Sequence, residues 1–169
     1  GMITSVDLIY GLPFQTIDSF LSDIDELVSL GIDGISLYSF NKSAKNEKFY
    51  YKHKCNIPSV PSTFLMFVAG ENKLLGKNFK KTHFVHYSKK RDKNLYYRHA
   101  LRQEDLLGIG PTANGVFENL HYRNKNIEEY LSADYPAERF QGGVLESIVN
   151  KEANSIITHL MCGRISKEL

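Results

Sequence analysis

The first 40 residues carry a strand–helix–strand pattern that restricts the folds open to the chain. A β-rich run over residues 3–10 ends in a Gly-Leu-Pro turn at 11–13, which is typical of a strand followed by a turn. Thr16 is a suitable N-cap, and apolar residues follow it at helical spacing. Gly31 is placed just after the helix C-terminus, and residues 35–40 predict a second strand. The pattern therefore predicts a βαβ unit with two parallel strands and a right-handed crossover.

The rest of the chain predicts more helices and strands, separated by polar loops. A parallel pair needs further strands and cover on both faces of its sheet. The predicted elements are a loop over 41–59, a helix over 63–76, a strand over 81–88, an extended segment over 96–102, a tight loop over 106–111, a strand over 116–122, and helices over 127–132 and 144–161. Gly142-Gly143 is a candidate separator before the last helix, which is expected to end at Cys162-Gly163. These elements predict an α/β protein.

The composition excludes several classes of protein. The 169 residues are 42% hydrophobic and 24% charged, with a formal net charge of +2, which is typical of a globular domain. No apolar run reaches the ~18 residues that span a bilayer, and we expect no signal peptide. The balanced charge does not favour nucleic acid or membrane partners. We therefore expect a cytoplasmic protein without either kind of partner.

One local basic stretch lies between Lys77 and Lys93. Lysines at a strand edge discourage unwanted pairing, and charge runs are usually solvated. An RNA-binding module built on this stretch is the weaker alternative, because no RNA-binding signature accompanies it.

The metal-ligating residue types do not form a convincing site. His83 and His86 are expected on one strand, where a spacing of three places them on opposite faces. His99 is expected to be a surface residue, as exposed polar residues usually are. Cys55 and Cys162 suit a reducing compartment as free thiols. We therefore predict no metal site.

Asp7 is the most informative single residue. Strand alternation places Ser5, Asp7 and Ile9 on one face. Asp7 is therefore expected inside a buried strand, and a buried carboxylate must be paired or hydrogen-bonded. Either Asp7 bonds a neighbouring loop or an arginine, or it accepts hydrogen bonds from a ligand hydroxyl at the end of a barrel-type strand.

Three motifs carry a resemblance to a known family. They are Asp-Leu-Ile-Tyr-Gly-Leu-Pro at 7–13 with Gln15-Thr16, Ile-Ser-Leu-Tyr-Ser-Phe at 35–40, and Asp-Leu-Leu-Gly-Ile-Gly-Pro-Thr-Ala at 105–113. Together they resemble the oxygen-independent coproporphyrinogen III oxidase family of radical SAM proteins, which also includes a heme chaperone and heme-degrading methyltransferases. The likeness continues more weakly through residues 122–130 and into the final helix. For His99 the resemblance implies a role in holding porphyrin propionates, as the alternative to a plain surface position.

The resemblance implies a fold and a cofactor site. It implies a partial parallel (β/α) barrel-type sheet followed by an α+β portion, with 2–115 as the second half of the barrel and 116–169 as the start of the C-terminal region. It also implies that Asp7 binds the ribose of S-adenosylmethionine and that Ile9 lines the adenine pocket. The further positions that it places beside this cofactor are Asn41, Gly108, Gly110 and Asn114.

The chain departs from the family in one essential feature. The family holds a [4Fe-4S] cluster on three cysteines spaced C-x-x-x-C-x-x-C, because soft thiolates suit the cluster irons. Cys55 and Cys162 cannot supply that motif. The cluster is therefore expected only in a complete protein, the catalytic residues stay unknown, and whether this chain is an enzyme is open.

Two main hypotheses follow for function. The chain is either a portion of a radical SAM protein of tetrapyrrole metabolism, or a non-catalytic remnant that binds a tetrapyrrole or a protein partner. Half a barrel exposes a sheet edge and an apolar face, which a partner chain can cover. We therefore also expect a homo-oligomer, most simply a two-fold dimer.

Overall fold

The computed structural model describes residues 1–41, 43–102 and 104–162, which form two compact units. The first unit spans 1–93 and the second 94–169. The expected boundary at 115/116 between two regions of the family falls inside a strand of the second unit, and it stays a prediction. Gly163, expected to end the last helix, lies outside the described residues, as does the rest of 163–169.

The first unit begins with the predicted βαβ arrangement. Strand β1 (Ser5–Tyr10) leads to helix α1 (Ile17–Ser29) and strand β2 (Gly34–Ser39), and β1 and β2 are parallel. Thr16 and Ser19 cap the helix reciprocally, each backbone N–H donating to the other's hydroxyl oxygen at 3.0–3.1 Å. Gly31 takes the left-handed conformation, with φ of 77°, that ends the helix. The βαβ prediction is confirmed.

The sheet of the first unit then departs from the parallel pattern. Strand β4 (His86–Ser88) runs antiparallel to β2, and the two-residue strand β3 (Lys80–Lys81) runs antiparallel to β4, which gives the order β1-β2-β4-β3. The expected single strand over 81–88 is therefore wrong. The chain reverses between β3 and β4, where the Thr82 N–H donates to the His86 carbonyl at 2.9 Å.

Two helices complete the first unit. Helix α3 (Val60–Gly76) confirms the predicted helix and starts earlier, with Ser59 as its cap and a proline in its first turn. Helix α2 (Ala44–Lys52) occupies part of the segment 41–59, so the loop expected there is wrong. Its only large apolar side chains are three adjacent aromatic residues, so it has no periodic apolar stripe to reveal it.

The core of the first unit lies between the sheet and the helices α1 and α3. Its fully buried members are Phe20, Ile24, Ile35, Leu37, Leu74 and Tyr87. Gly70 permits close packing of the two helices, because a Cβ there would lie 2.7 Å from the Phe20 ring. One face of the sheet is thus fully used, and the other face carries Asp7.

The second unit is built on an antiparallel sheet. Helix α4 (Leu95–Leu101) precedes strands β5 (Asn114–Phe117), β6 (Leu120–Asn124) and β7 (Phe140–Leu145), which pair in that order. Helix α5 (Ile127–Leu131) and a 3-10 turn (Pro136–Arg139) connect β6 to β7, and helix α6 (Ile148–Met161) follows. The short helix expected over 127–132 is confirmed.

Three expectations for the second unit are wrong. Residues 96–102, expected to be extended, lie mostly in helix α4. The strand expected over 116–122 is a hairpin that turns at Glu118, whose φ is 54°. The last helix begins at Ile148, where Ser147 caps it, so Gly142-Gly143 lies within a strand and is not a separator.

The fold class is mixed α/β, as predicted. Among the described residues, no helix combines the length and the apolar character that crossing a bilayer requires.

Candidate functional site

Asp7 lies on the open face of the first sheet. As predicted, Ser5, Asp7 and Ile9 share one face of β1, but Asp7 is exposed, so its expected burial is wrong. β1 is the edge strand, and the packing helices cover only the opposite face. Within the described ranges, no hydrogen bond or ion pair reaches the Asp7 carboxylate, so the expected loop or arginine partner is not seen. Its oxygens are therefore available to accept hydrogen bonds.

Ile9 extends this open face toward the carboxyl end of β1. It remains 43% exposed, and it pairs in register with Tyr38 of β2. Asp7 pairs in the same way with Ser36. A carboxylate and an exposed apolar side chain thus lie two residues apart on one strand, which suits a ligand with both hydroxyl groups and an apolar ring.

The Gly-Leu-Pro motif after β1 has a structural explanation. Gln15 accepts the backbone N–H groups of Gly11 and Leu12 at 2.7 and 3.1 Å, and its own amide donates to the Ile9 carbonyl at 3.4 Å. The Phe40 N–H donates to the Tyr10 carbonyl at 2.7 Å, which joins the ends of β1 and β2. This network fixes the sheet end at which Ile9 lies.

Asn41 lies two residues beyond β2 at this same sheet end, and its side chain is exposed. The structure therefore brings Asp7, Ile9 and Asn41 to neighbouring parts of the first unit. The other predicted site residues, Gly108, Gly110 and Asn114, belong to the second unit.

The Gly108–Gly110 loop is held by two side chains of β6. The Tyr122 hydroxyl accepts the Gly108 N–H at 2.9 Å. The Asn124 amide donates to the carbonyls of Gly108 and Gly110 at 3.0 and 2.8 Å, and Asn124 is buried. A Cβ at Gly108 would lie 2.6 Å from the Asn114 carbonyl oxygen. This close packing is by itself sufficient reason for a glycine at position 108.

Sequence reasoning did not identify Tyr122 and Asn124 as supports of this loop. Their positions two apart on a strand could have indicated a shared face, but not which loop that face contacts.

The second unit contains an open groove of about 500 Å³. Asn114 lines it, whereas Gly108 and Gly110 do not, and its other polar and aromatic lining residues include Tyr96, His121, Tyr122 and Arg123. The His121 side chain lies 2.9 Å from Glu146, and this hydrogen bond holds the pKa of the Glu146 carboxyl below its usual value. The groove therefore combines aromatic surfaces with an arginine.

The two histidines of the H-x-x-H segment contradict the expected geometry. His83 lies in the turn before β4, and its ring stacks on His86 with 5.5 Å between centroids. Burial, with a smaller effect from His86, lowers the pKa of His83 to about 4. Across the part of the chain that the structure describes, no three His, Cys, Asp or Glu side chains are grouped to hold a metal ion.

Other polar residues have local partners. His99 forms a hydrogen bond with Glu104 on the surface, and this hydrogen bond holds the pKa of the Glu104 carboxyl below its usual value. In the basic stretch, Lys81 bonds Glu71 at 2.7 Å, and Arg91 lies 3.7 Å from Asp33. These contacts give several of the cations a role within the first unit.

Known proteins resemble the chain over most of its length. No family model matches. "Heme chaperone HemW" of Buchnera aphidicola subsp. Schizaphis graminum is 31% identical over 140 residues, which is 78% of this chain and 36% of that protein. "Oxygen-independent coproporphyrinogen III oxidase" of Pseudomonas aeruginosa is 41% identical over 58 residues, 34% of this chain and 12% of that protein.

A solved structure extends the comparison to the fold. Coproporphyrinogen III oxidase (HemN) from Escherichia coli, described as a radical SAM enzyme, matches 94% of this chain and 40% of its own, with a TM-score of 0.73. At 21% sequence identity, this likeness shows a shared fold. The chain thus spans 36% of the length of the heme chaperone that it matches.

Proposed function

We propose that this chain, which belongs to the oxygen-independent coproporphyrinogen III oxidase-like radical SAM family, supplies the nucleoside-binding part of an S-adenosylmethionine site. The exposed Asp7 carboxylate on the open face of β1 is the observation that carries this proposal. In this proposal the parallel pair β1–β2 is part of a (β/α) barrel-type sheet, and the whole protein acts in tetrapyrrole metabolism.

The residues of the first unit fit the nucleoside end of that cofactor. Asp7 would accept hydrogen bonds from the ribose hydroxyls, because an ionised carboxylate only accepts. Ile9 would contact the adenine ring, and Asn41 would border the site at the end of β2. Gly108, Gly110 and Asn114 remain proposed contacts from the second unit, although the Gly108 loop also has the structural role described above.

The chain does not fit the cluster that the family uses. The sequence contains two cysteines, and three are needed for the family's [4Fe-4S] ligand set. These residues alone therefore cannot carry out a radical step. The family region boundary at 115/116, the cytoplasmic location and the homo-oligomer stay predictions.

Replacing Asp7 with asparagine is expected to weaken S-adenosylmethionine binding by about 10- to 100-fold, because hydrogen bonds to charged groups contribute most among such contacts. Isothermal titration calorimetry on the full chain measures this change. Asp18→Asn is the matched control, since Asp18 is exposed in the first turn of α1, in the helix layer on the other side of the sheet. Equal affinity of the Asp7 variant and the unaltered chain would contradict the proposal.

A non-catalytic tetrapyrrole-binding remnant is the second candidate. The cysteine count favours it for this chain taken alone, and the groove of the second unit offers Tyr96 and Tyr122 beside Arg123 for an aromatic anion. Absorbance titration with heme distinguishes the candidates. Saturable heme binding by a chain that does not bind S-adenosylmethionine would favour the remnant.

A further inference from the structure

A row of polar side chains lies beside Asp7, on the face of the first sheet that carries it. Asp7 of β1 pairs in register with Ser36 of β2, and Ser36 pairs with His86 of β4. The Ser36 hydroxyl lies 2.9 Å from His86 Nδ1, and His86 Nε2 lies 2.9 Å from the Asp92 carboxylate. Ser36, His86 and Asp92 therefore form a continuous hydrogen-bonded chain that ends next to Asp7.

The hydrogen-bonded row of Ser36, His86 and Asp92 is protected from solvent, whereas Asp7 is exposed. Ser36 is 3% exposed and His86 2% exposed. Gly34 makes the arrangement sterically feasible, because a Cβ there would lie 2.0 Å from Asp92 Oδ2 and 2.9 Å from the His86 ring. Burial removes competing water, so each polar group of the row bonds a defined neighbour.

When the His86 imidazole is neutral, the chemistry of the three groups fixes the direction of the hydrogen bonds. A carboxylate only accepts, so the neutral imidazole must carry its proton on Nε2 and donate it to Asp92. His86 Nδ1 is then an acceptor, and the Ser36 hydroxyl donates to it. A serine hydroxyl has one hydrogen, so Ser36 then has none to donate to Asp7, although neighbouring strands lie only about 4.8 Å apart.

We propose that Asp92 and His86 are positioning residues that turn the Ser36 hydroxyl away from Asp7, so that the Asp7 carboxylate stays open to ligand hydroxyls. The inference rests on the proposed nucleoside site. If the tautomer of His86 is reversed, Nδ1–H donates to Ser36, and the freed serine hydrogen can bond Asp7 in competition with the ligand.

The first test reads the tautomer directly. Nitrogen-15 NMR of histidine-labelled full chain at neutral pH is expected to show His86 protonated on Nε2. Asp92→Asn is expected to move the proton toward Nδ1, because an asparagine amide can donate to Nε2 and support the other tautomer. If His86 of the unaltered protein already carries a proton on Nδ1, the proposal is overturned, whatever ligand binds.

The second test reads the effect on binding. Asp92→Asn is expected to weaken S-adenosylmethionine binding about tenfold, because the freed Ser36 hydroxyl then competes with the ligand for roughly one hydrogen bond to Asp7. Adding Ser36→Ala to Asp92→Asn is expected to restore most of the affinity, because the competing hydrogen is gone. Adding Ser88→Ala instead, which removes a buried hydroxyl of β4, is expected to restore none.

The outcomes separate this inference from the function on which it rests. If the Asp92 variant is weak and Ser36→Ala does not restore affinity, the row is merely structural and the inference fails. If Asp7→Asn weakens binding while Asp92→Asn does not, only the inference fails. If Asp7→Asn has no effect, the proposed function fails, and with it the inferred role of the row in binding.

Discussion

Replacing Phe20 with alanine is expected to lower the free energy of unfolding of the first unit by about 3–5 kcal/mol. The Phe20 ring is fully buried in the layer between α1, α3 and the sheet. It lies 5.9 Å from the Tyr10 ring, centroid to centroid, and Gly70 lets α3 approach it closely. The substitution leaves a cavity, and Gly70 on the facing helix has no side chain that could fill it. Most of the free-energy cost of losing the buried ring is therefore expected to remain. Urea unfolding followed by circular dichroism measures the loss.

Phe64→Ala is the matched control for this prediction. It removes the same side chain from α3 at a position that is 63% exposed. Its expected cost is below about 1 kcal/mol, since surface substitutions usually have small effects. Equal costs for the two variants would contradict the described core.

Acidification is expected to destabilise the first unit through His83. Its pKa is lowered to about 4 in the folded chain, whereas the unfolded chain has the ordinary value of 6.5. Between these values the unfolded state binds more protons, so the stability present above pH 6.5 is lost as the pH falls toward 4. The loss amounts to about 3 kcal/mol at the low end of this window.

The measurement compares unfolding free energies at pH 7 and pH 4.5 for the unaltered chain and His83→Gln. The glutamine variant is expected to lose less stability on acidification, whatever its stability at pH 7. His53→Gln, at an exposed position, is expected to keep the full pH dependence. An identical pH dependence of the His83 variant and the unaltered chain would show that His83 does not cause the loss.

The parts of the fold that the sequence predicts well depend on local signals. Thr16 and Gly31 mark the ends of α1 within a few residues of it, so the βαβ unit could be predicted without knowing its surroundings. The reversal between β3 and β4 depends instead on how Thr82 and His86 meet in the folded sheet. No local turn signal announces it, and this is why the geometry of His83 and His86 was predicted wrongly.

The candidate site shows the same difference between features set by local sequence and features set by the assembled sheet. The motif around Asp7 indicated its face correctly, because strand alternation is local. Its exposure depends on which layers cover the sheet, and alternation cannot show that. The row from Ser36 to Asp92 joins residues that are distant in sequence, and only the strand order β1-β2-β4 brings them together.

The most direct test of the account is a map of where S-adenosylmethionine contacts the chain. Backbone amide NMR of the full chain is recorded with and without the cofactor. The account predicts shift changes at Asp7, Ile9 and Tyr38, on the open face of the first sheet, and their loss in Asp7→Asn. Binding without shifts at these residues, or shifts confined to the helices α1 and α3, would contradict it.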